Sequence, residues 1–175
     1  MKPLKIESIT KVEDAGRVAR VHHTSRRQAY LGMLPDEYLN KISFPQREEQ
    51  WAEDIEKSQE GNGRIWLAHQ DPFDVGIVAL GPAKDDDLDK KSVGELYVIY
   101  VMPDFWGSGA GKYLFDHAVE QAKQAKFKEL VAWVYEPNDR ARRFYERQGM
   151  KLTKARRPIY DGASVFVVRY SMPLV

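Results

Sequence analysis

"ELYVIYVMPDFWGSGAGKYLF", residues 95–115, changes character twice within twenty-one residues. From Glu95 to Val101 the run is almost unbroken in apolar side chains, as in a strand buried on both faces. From Leu114 onward apolar residues recur at helical spacing, with Leu114, Ala118, Ala122 and Ala125 forming a stripe to about Lys126. Between them stand Gly107, Gly109 and Gly111. Three glycines in five residues make a poor helix interior and mark a backbone that bends sharply or meets something closely. A helix start presents unpaired N–H groups and a partial positive charge. The order strand, glycine turn, helix therefore makes Trp106, Gly107, Ser108, Gly109, Ala110, Gly111 and Lys112 a candidate phosphate cradle. A plain tight turn is the alternative that glycines alone leave open. No Gly-Lys-Ser/Thr follows at Walker spacing, and the glycines miss the dinucleotide pattern G-x-G-x-x-G, so the carrier is of another kind.

Around this centre the chain reads as alternating elements. "LKIESI" alternates as a first strand, and Asp14–Tyr30 has the apolar spacing of an amphipathic helix. "FPQREEQWAEDIEKSQEGNG" is a charged helix ending at Gly61 or Gly63. "RIWLAHQ" and "DVGIVALG" form a hairpin across "DPFD", and "PAKDDDLDKKS" reads as a solvated loop. "ELVAWVY" is a second buried strand, and "NDRARRFYERQG" a helix capped near Asn138 or Asp139 with Gly149 past its end. "MKLTKARR" and "SVFVVRYSM" are the last two strands, joined through "YDG". The expectation is one α/β (α+β mixed) domain over residues 1–175, with a mixed, mostly antiparallel sheet of six to seven strands and helices on both faces.

Composition narrows the function classes. The chain has 175 residues, is 43% hydrophobic and 30% charged, and carries a formal charge of +1. That balance gives no field to recruit nucleic acid or anionic membrane. Without cysteine there is no disulfide, thiolate metal site or cysteine nucleophile, and His69 and His117 have no partner pattern for ligation, so no metal is expected. "MKPLKIESIT" lacks the apolar stretch of a secretory signal, and no run approaches a membrane span, so the expected location is the cytoplasm.

Two motifs carry a resemblance to the GNAT superfamily of acyl-CoA-dependent N-acetyltransferases. "YVMPDFWGSGAG" resembles its strand-to-loop signature, an apolar strand ending Val-x-Pro followed by Arg/Gln-x-x-Gly-x-Gly/Ala. "NDRARRFYERQGMK" resembles its second signature through Asn138, Ala141, Phe144, Tyr145 and Gly149, with Met150 in place of the aromatic. The two occur in the family's order, one helix and one strand apart. Trp106 stands where the family usually has Arg or Gln, leaving a single indole N–H as side-chain donor.

The resemblance implies acetyl-CoA as cosubstrate, held by Ile99, Val101, the loop Trp106–Lys112, Asn138, Arg142 and Tyr145. It implies a splayed or bulged strand at Val101 and an acetyl transfer to a primary amine of a small molecule or peptide. Such a transfer needs an amine freed of its proton, a stabilised carbonyl oxygen and a proton for the leaving thiolate. Tyr145 matches the family's acid, and a phenol stays protonated at neutral pH. Asn138 matches a pantetheine contact, and a helix cap is compatible with the same position. Glu95 is a candidate base or simply an exposed strand start, and Tyr97 shares its face by alternation. Tyr30, Tyr97, Tyr135 and Tyr160 are candidates for the acceptor walls, which suit a cationic amine or an apolar side chain. A non-catalytic acyl-CoA-binding or regulatory module of the same fold is the alternative. A homodimer is compatible with the chain, though nothing in it specifies one.

Overall fold

The computed structural model describes residues 3–175. Its strands are β1 (Lys5–Ser8), β2 (Arg64–Gln70), β3 (Phe73–Pro82), β4 (Val93–Val101), β5 (Glu129–Tyr135), β6 (Lys151–Pro158) and β7 (Phe166–Pro173). Its helices are α1 (Ala15–Tyr30), α2 (Asp36–Asn40), α3 (Phe44–Lys57), α4 (Ala110–Gln124) and α5 (Asp139–Arg147). The strands form one seven-stranded sheet in the order β1-β2-β3-β4-β5-β7-β6. Every pair is antiparallel except β4 with β5. The mixed, mostly antiparallel sheet read from the sequence is thus the observed one. Among the described residues, no helix is long and apolar enough to cross a membrane.

Alternation along the central strands sends side chains to two cores. Ile65, Leu67, Ile77 and Ala79 pack against Val18, Val21, Trp51 and Ile55 of α1 and α3. Trp66, Val78, Leu80 and Leu96 face Leu114, Phe115, Ala118 and Tyr145 of α4 and α5. At about 25 cal/mol per Å², burial on both faces is the main force holding the layers. Local signals set the helix ends. Ser43 caps α3 in a reciprocal box with Gln46, and the Asn138 side chain accepts from the Ala141 amide at 3.1 Å.

Two features of β4 split the sheet. Its register against β3 slips, Ala79 facing Val98 while Leu80 faces Leu96, so Tyr97 is the extra residue. Its parallel pairing with β5 stops early, running only from Val93↔Glu129 to Glu95↔Val131. Beyond that β4 stays with β3, and β5 stays with β7, so the sheet opens into a wedge. The expected burial of β4 on both faces therefore holds for Val93–Leu96 but not for Tyr97–Val101, which are half-buried.

The acidic loop departs from its reading as a solvated connection. Asp85 is buried and accepts from Trp133 Nε1 at 2.8 Å, Arg157 at 2.9 Å and Arg169 at 2.9 Å. Arg169 also forks onto Asp87, and Arg157 stacks 4.1 Å from the Trp133 ring. The loop thereby ties β3 and β4 to β5, β6 and β7 across the wedge. Removing one partner of a buried pair costs about 3 kcal/mol. Asp85→Ala is expected to lower Tm by roughly 6–12 °C in a thermal melt. A change under about 2 °C would show that the network contributes little.

Candidate active site

The wedge between β4 and β5 opens into a cleft of about 440 Å³. Ile99 and Val101 line one side, Trp133 and Val134 the other, and the glycine turn and α5 close its ends. The Met102 amide donates to the Val75 carbonyl of β3 at 2.8 Å. Because successive residues of a strand alternate in direction, the Ile99 and Val101 amides point the other way, into the wedge where β5 has withdrawn. Two backbone donors thus stand without a strand partner on the cleft wall.

Gly107 and Gly109 sit at φ of +77° and +92°, a left-handed backbone that L side chains resist. That pair of bends turns the chain into α4 and leaves the amides of Gly107, Gly109, Gly111 and Lys112 without a protein acceptor among the described residues. All four residues line the cleft. Ser108 and Ala110 do not; the Ser108 hydroxyl donates back to the Phe105 carbonyl at 2.6 Å and caps the turn from within. Lys112 lines the cleft, and its ammonium pairs with Asp116 at 2.6 Å on the exposed face of α4.

Trp106 does not offer its donor to the cleft. Its indole N–H is committed to the Val101 carbonyl at 2.8 Å, which ties the turn to the end of β4. From α5 the Arg140 guanidinium stacks 3.5 Å from the Trp106 ring centroid. Arg140 lines the cleft, is pushed below the usual arginine range by burial, and has no carboxylate partner among the described residues. Arg142, expected among the cofactor residues, faces away. Its Nε donates to the Tyr170 hydroxyl at 3.1 Å and its NH1 to the Glu136 carbonyl at 3.2 Å. The helical spacing of Arg140, Phe144 and Gln148, all in the cleft wall, is the signal that separates the two arginines.

Of the two roles read for Asn138, the structure shows the helix cap. Its Oδ1 caps α5, while the residue lines the cleft with its amide NH2 free of acceptors among the described residues. Tyr145 is buried beside Phe144 and Phe115, yet it lines the cleft, and among the described residues no group binds its hydroxyl. Burial first, and Tyr100 second, push its pKa above the usual phenol range, so the proton stays on oxygen.

Of the residues read as acceptor walls, only Tyr30 lines the cleft. Its hydroxyl lies 3.2 Å from that of Tyr100, and its ring centroid 4.5 Å from that of Tyr135, one layer behind. Tyr160 is exposed and packs on Tyr38, and Tyr97 donates to the Pro82 carbonyl. Glu95 is buried, not exposed, and does not line the cleft. Its carboxylate accepts from the Lys84 amide at 2.8 Å, and desolvation raises its pKa above the usual range.

His22 is buried as well. Trp51 Nε1 donates to its Nδ1 at 3.0 Å, and its ring stacks on Tyr100 at 5.0 Å. Burial, then Arg47 and Arg26, push it down to about 3, so it is neutral in the fold. Between pH 6.5 and about 3 the unfolded chain binds the extra proton, and stability falls as pH falls, by at most about 1.4 kcal/mol per pH unit. His22→Gln should flatten the acid limb of Tm against pH in that window. An unchanged slope would contradict a buried neutral imidazole.

Residues 28–150 match the sequence profile of the Acetyltransferase (GNAT) family, most of the chain and both motifs included. The chain belongs to the GNAT acetyltransferase family. An uncharacterized N-acetyltransferase of Bacillus subtilis (strain 168) is 31% identical over 129 residues, covering 73% of this chain and 70% of that protein. The PaiA N-acetyltransferase of Thermoplasma acidophilum, solved with coenzyme A, superposes with a TM-score of 0.77 at 22% identity, over 95% of this chain and 98% of that one. An acetyltransferase of Salmonella typhimurium, solved with acetyl-CoA, gives a TM-score of 0.73 at 15% identity, over 99% and 95% of the two chains. At such identities these structures establish the GNAT fold, and the sequence match establishes the acyltransferase family.

Proposed function

We propose that this GNAT chain transfers an acetyl group from acetyl-CoA to a primary amine of a small molecule or peptide by direct attack, with Tyr145 as the acid. One observation carries the reading: four unpaired amides at the start of α4 face a cleft whose wall continues through the Ile99 and Val101 amides to the free Tyr145 hydroxyl. A diphosphate suits the first set, since anionic oxygens take backbone N–H donors at a helix start strongly. Arg140 adds the charge that Trp106 lacks there. The amide NH2 of Asn138 and the β4 amides suit a chain of amide carbonyls between the diphosphate and Tyr145.

Acetyl-CoA supplies an acyl thioester. The bond formed joins the amine nitrogen to the acetyl carbon, the bond broken is carbon–sulfur, the nitrogen sheds a proton and the sulfur gains one. The Ile99 and Val101 amides place donors where charge develops on the carbonyl oxygen. Tyr145, kept protonated by burial, holds the proton the sulfur needs. Glu95, buried outside the cleft lining with its pKa raised, takes the amine's proton through ordered water. Acetyl-CoA should raise Tm, and thiol should appear only when an acceptor amine is added. Absence of stabilisation would count against the site, and stabilisation without thiol release from any amine would leave a binding module and not an enzyme.

A further inference from the structure

α1 meets the cleft through Ser25, Ala29 and Tyr30, and His22, Arg26 and Tyr30 follow one another at successive helical turns beside that contact. Tyr30 is part of the cleft wall, and one turn back the Arg26 guanidinium stands 6.0 Å from the Tyr30 ring centroid and 5.5 Å from that of Tyr38. Among the described residues its single polar contact is a long one, 3.5 Å to the Leu39 carbonyl. Across from it α3 repeats the pattern. Trp51 binds His22 in the deeper layer, and Arg47 lies one turn before Trp51. Arg47 gives NH1 to Gln50 at 3.1 Å, while its Nε is buried with no acceptor. Burial first, and then the charge of Arg26, push Arg47 below the usual arginine range.

Other arginines of this chain are treated differently. Arg17 meets Glu7, Asp14 and Asp74; Arg156 meets Glu136; Arg157 and Arg169 meet Asp85. Among the described residues no carboxylate pairs with Arg26 or Arg47. Two half-buried cations that repel each other, one with an orphaned donor, form a site completed by an anion from outside the chain. A row of tyrosines connects them to the cleft: Tyr30 to Tyr100 through their hydroxyls, and Tyr30 to Tyr135 through their rings.

We propose that the acceptor is a small amine that also bears an anionic group, a carboxylate or a phosphate, which Arg26 and Arg47 hold while the amine reaches the cleft beside Tyr145. The inference rests on the acetyltransferase reading above and names its substrate class. Rings of Tyr30 and Tyr38 suit an apolar spacer between the two ends of such a molecule. The same pair of cations opposes polyamines and strongly basic peptides, whose second charge would fall on Arg26 and Arg47.

Matched amines separate the cases. Each of several α-amino acids is assayed against its carboxamide, and aminoalkyl phosphates against the corresponding amino alcohols, by thiol release from acetyl-CoA. The acid-bearing partner of at least one pair should exceed its neutral partner by about thirtyfold or more in kcat/KM, and which pair responds tells carboxylate from phosphate. Arg47→Gln and Arg26→Gln should each reduce that preference about tenfold through KM, with Arg47→Lys retaining part of it. Acetyl-CoA affinity should stay within about twofold and Tm should not fall, since one of two repelling charges is removed. Calorimetric titration of the acid-bearing amine into the protein with free CoA should show the same loss in both Gln variants. Equal turnover of acid and neutral partners, or a preference for polyamines, or a preference unmoved by either substitution, would overturn the anionic acceptor and leave the acetyltransferase standing. Failure to bind acetyl-CoA, or to release thiol with any amine, would overturn both.

Discussion

Tyr145→Phe is expected to lower kcat by about a hundredfold while the Kd for acetyl-CoA changes less than about threefold. The substitution keeps the ring, which packs against Phe115 and Phe144 and stacks on Tyr170, so the core loses almost nothing. It removes only the hydroxyl, which no group among the described residues binds, from a residue that lines the cleft. A thiolate leaving without a proton is the poorer leaving group, and general acids contribute about 10²–10⁴-fold. The loss should therefore fall on turnover. Because burial raises the Tyr145 pKa, its deprotonation adds no falling limb to the rate of the wild-type enzyme below about pH 10. If Tyr145→Phe lost binding and turnover equally, or lost neither, the hydroxyl would not be the acid.

Gly109→Val is expected to weaken acetyl-CoA binding by about two orders of magnitude. Gly109 holds a φ of +92° as the residue before α4, and a β-branched side chain there is strained whatever the space around it. Relief comes by moving the turn, and the unpaired amides of Gly107, Gly109, Gly111 and Lys112 then no longer converge. Losing two charge-assisted hydrogen bonds at about 1.5 kcal/mol each accounts for the factor. Gly162 provides the control, since it has a φ of +81° and open space around it at a turn between β6 and β7. Gly162→Val should cost similar stability and leave acetyl-CoA binding intact. If both variants lowered binding alike, the effect of Gly109 would be general destabilisation.

The features legible in the chain were local ones. The apolar run to Val101, the glycines, and the stripe from Leu114 fix strand, turn and helix within twenty-one neighbouring residues, and the structure has them there. Asn138 and Gly149 bracket α5 for the same reason. The wedge was not legible from periodicity, because it is a relation between β4 and β5, which lie a helix apart and part company after Glu95. The resemblance implied it where spacing could not. Asp85 was misread as solvated because its partners, Arg157 and Arg169, are more than seventy positions away and give no local pattern. Trp106 looked like a weakened phosphate donor; only the fold shows its indole bonded to Val101 and its face covered by Arg140. The choice of Arg142 over Arg140 reflects helix phase, since two positions amount to about 200° of rotation and carry one guanidinium to Tyr170 and the other to the cleft.

A crystal structure of the complex with acetyl-CoA tests most directly where the acyl-CoA lodges. The diphosphate oxygens should lie within about 3 Å of the amide nitrogens of Gly107, Gly109, Gly111 and Lys112, with the thioester in the wedge beside Tyr145 and Arg140 over the phosphates. A ligand bound elsewhere, leaving those amides facing only solvent, would contradict the assignment of the cleft.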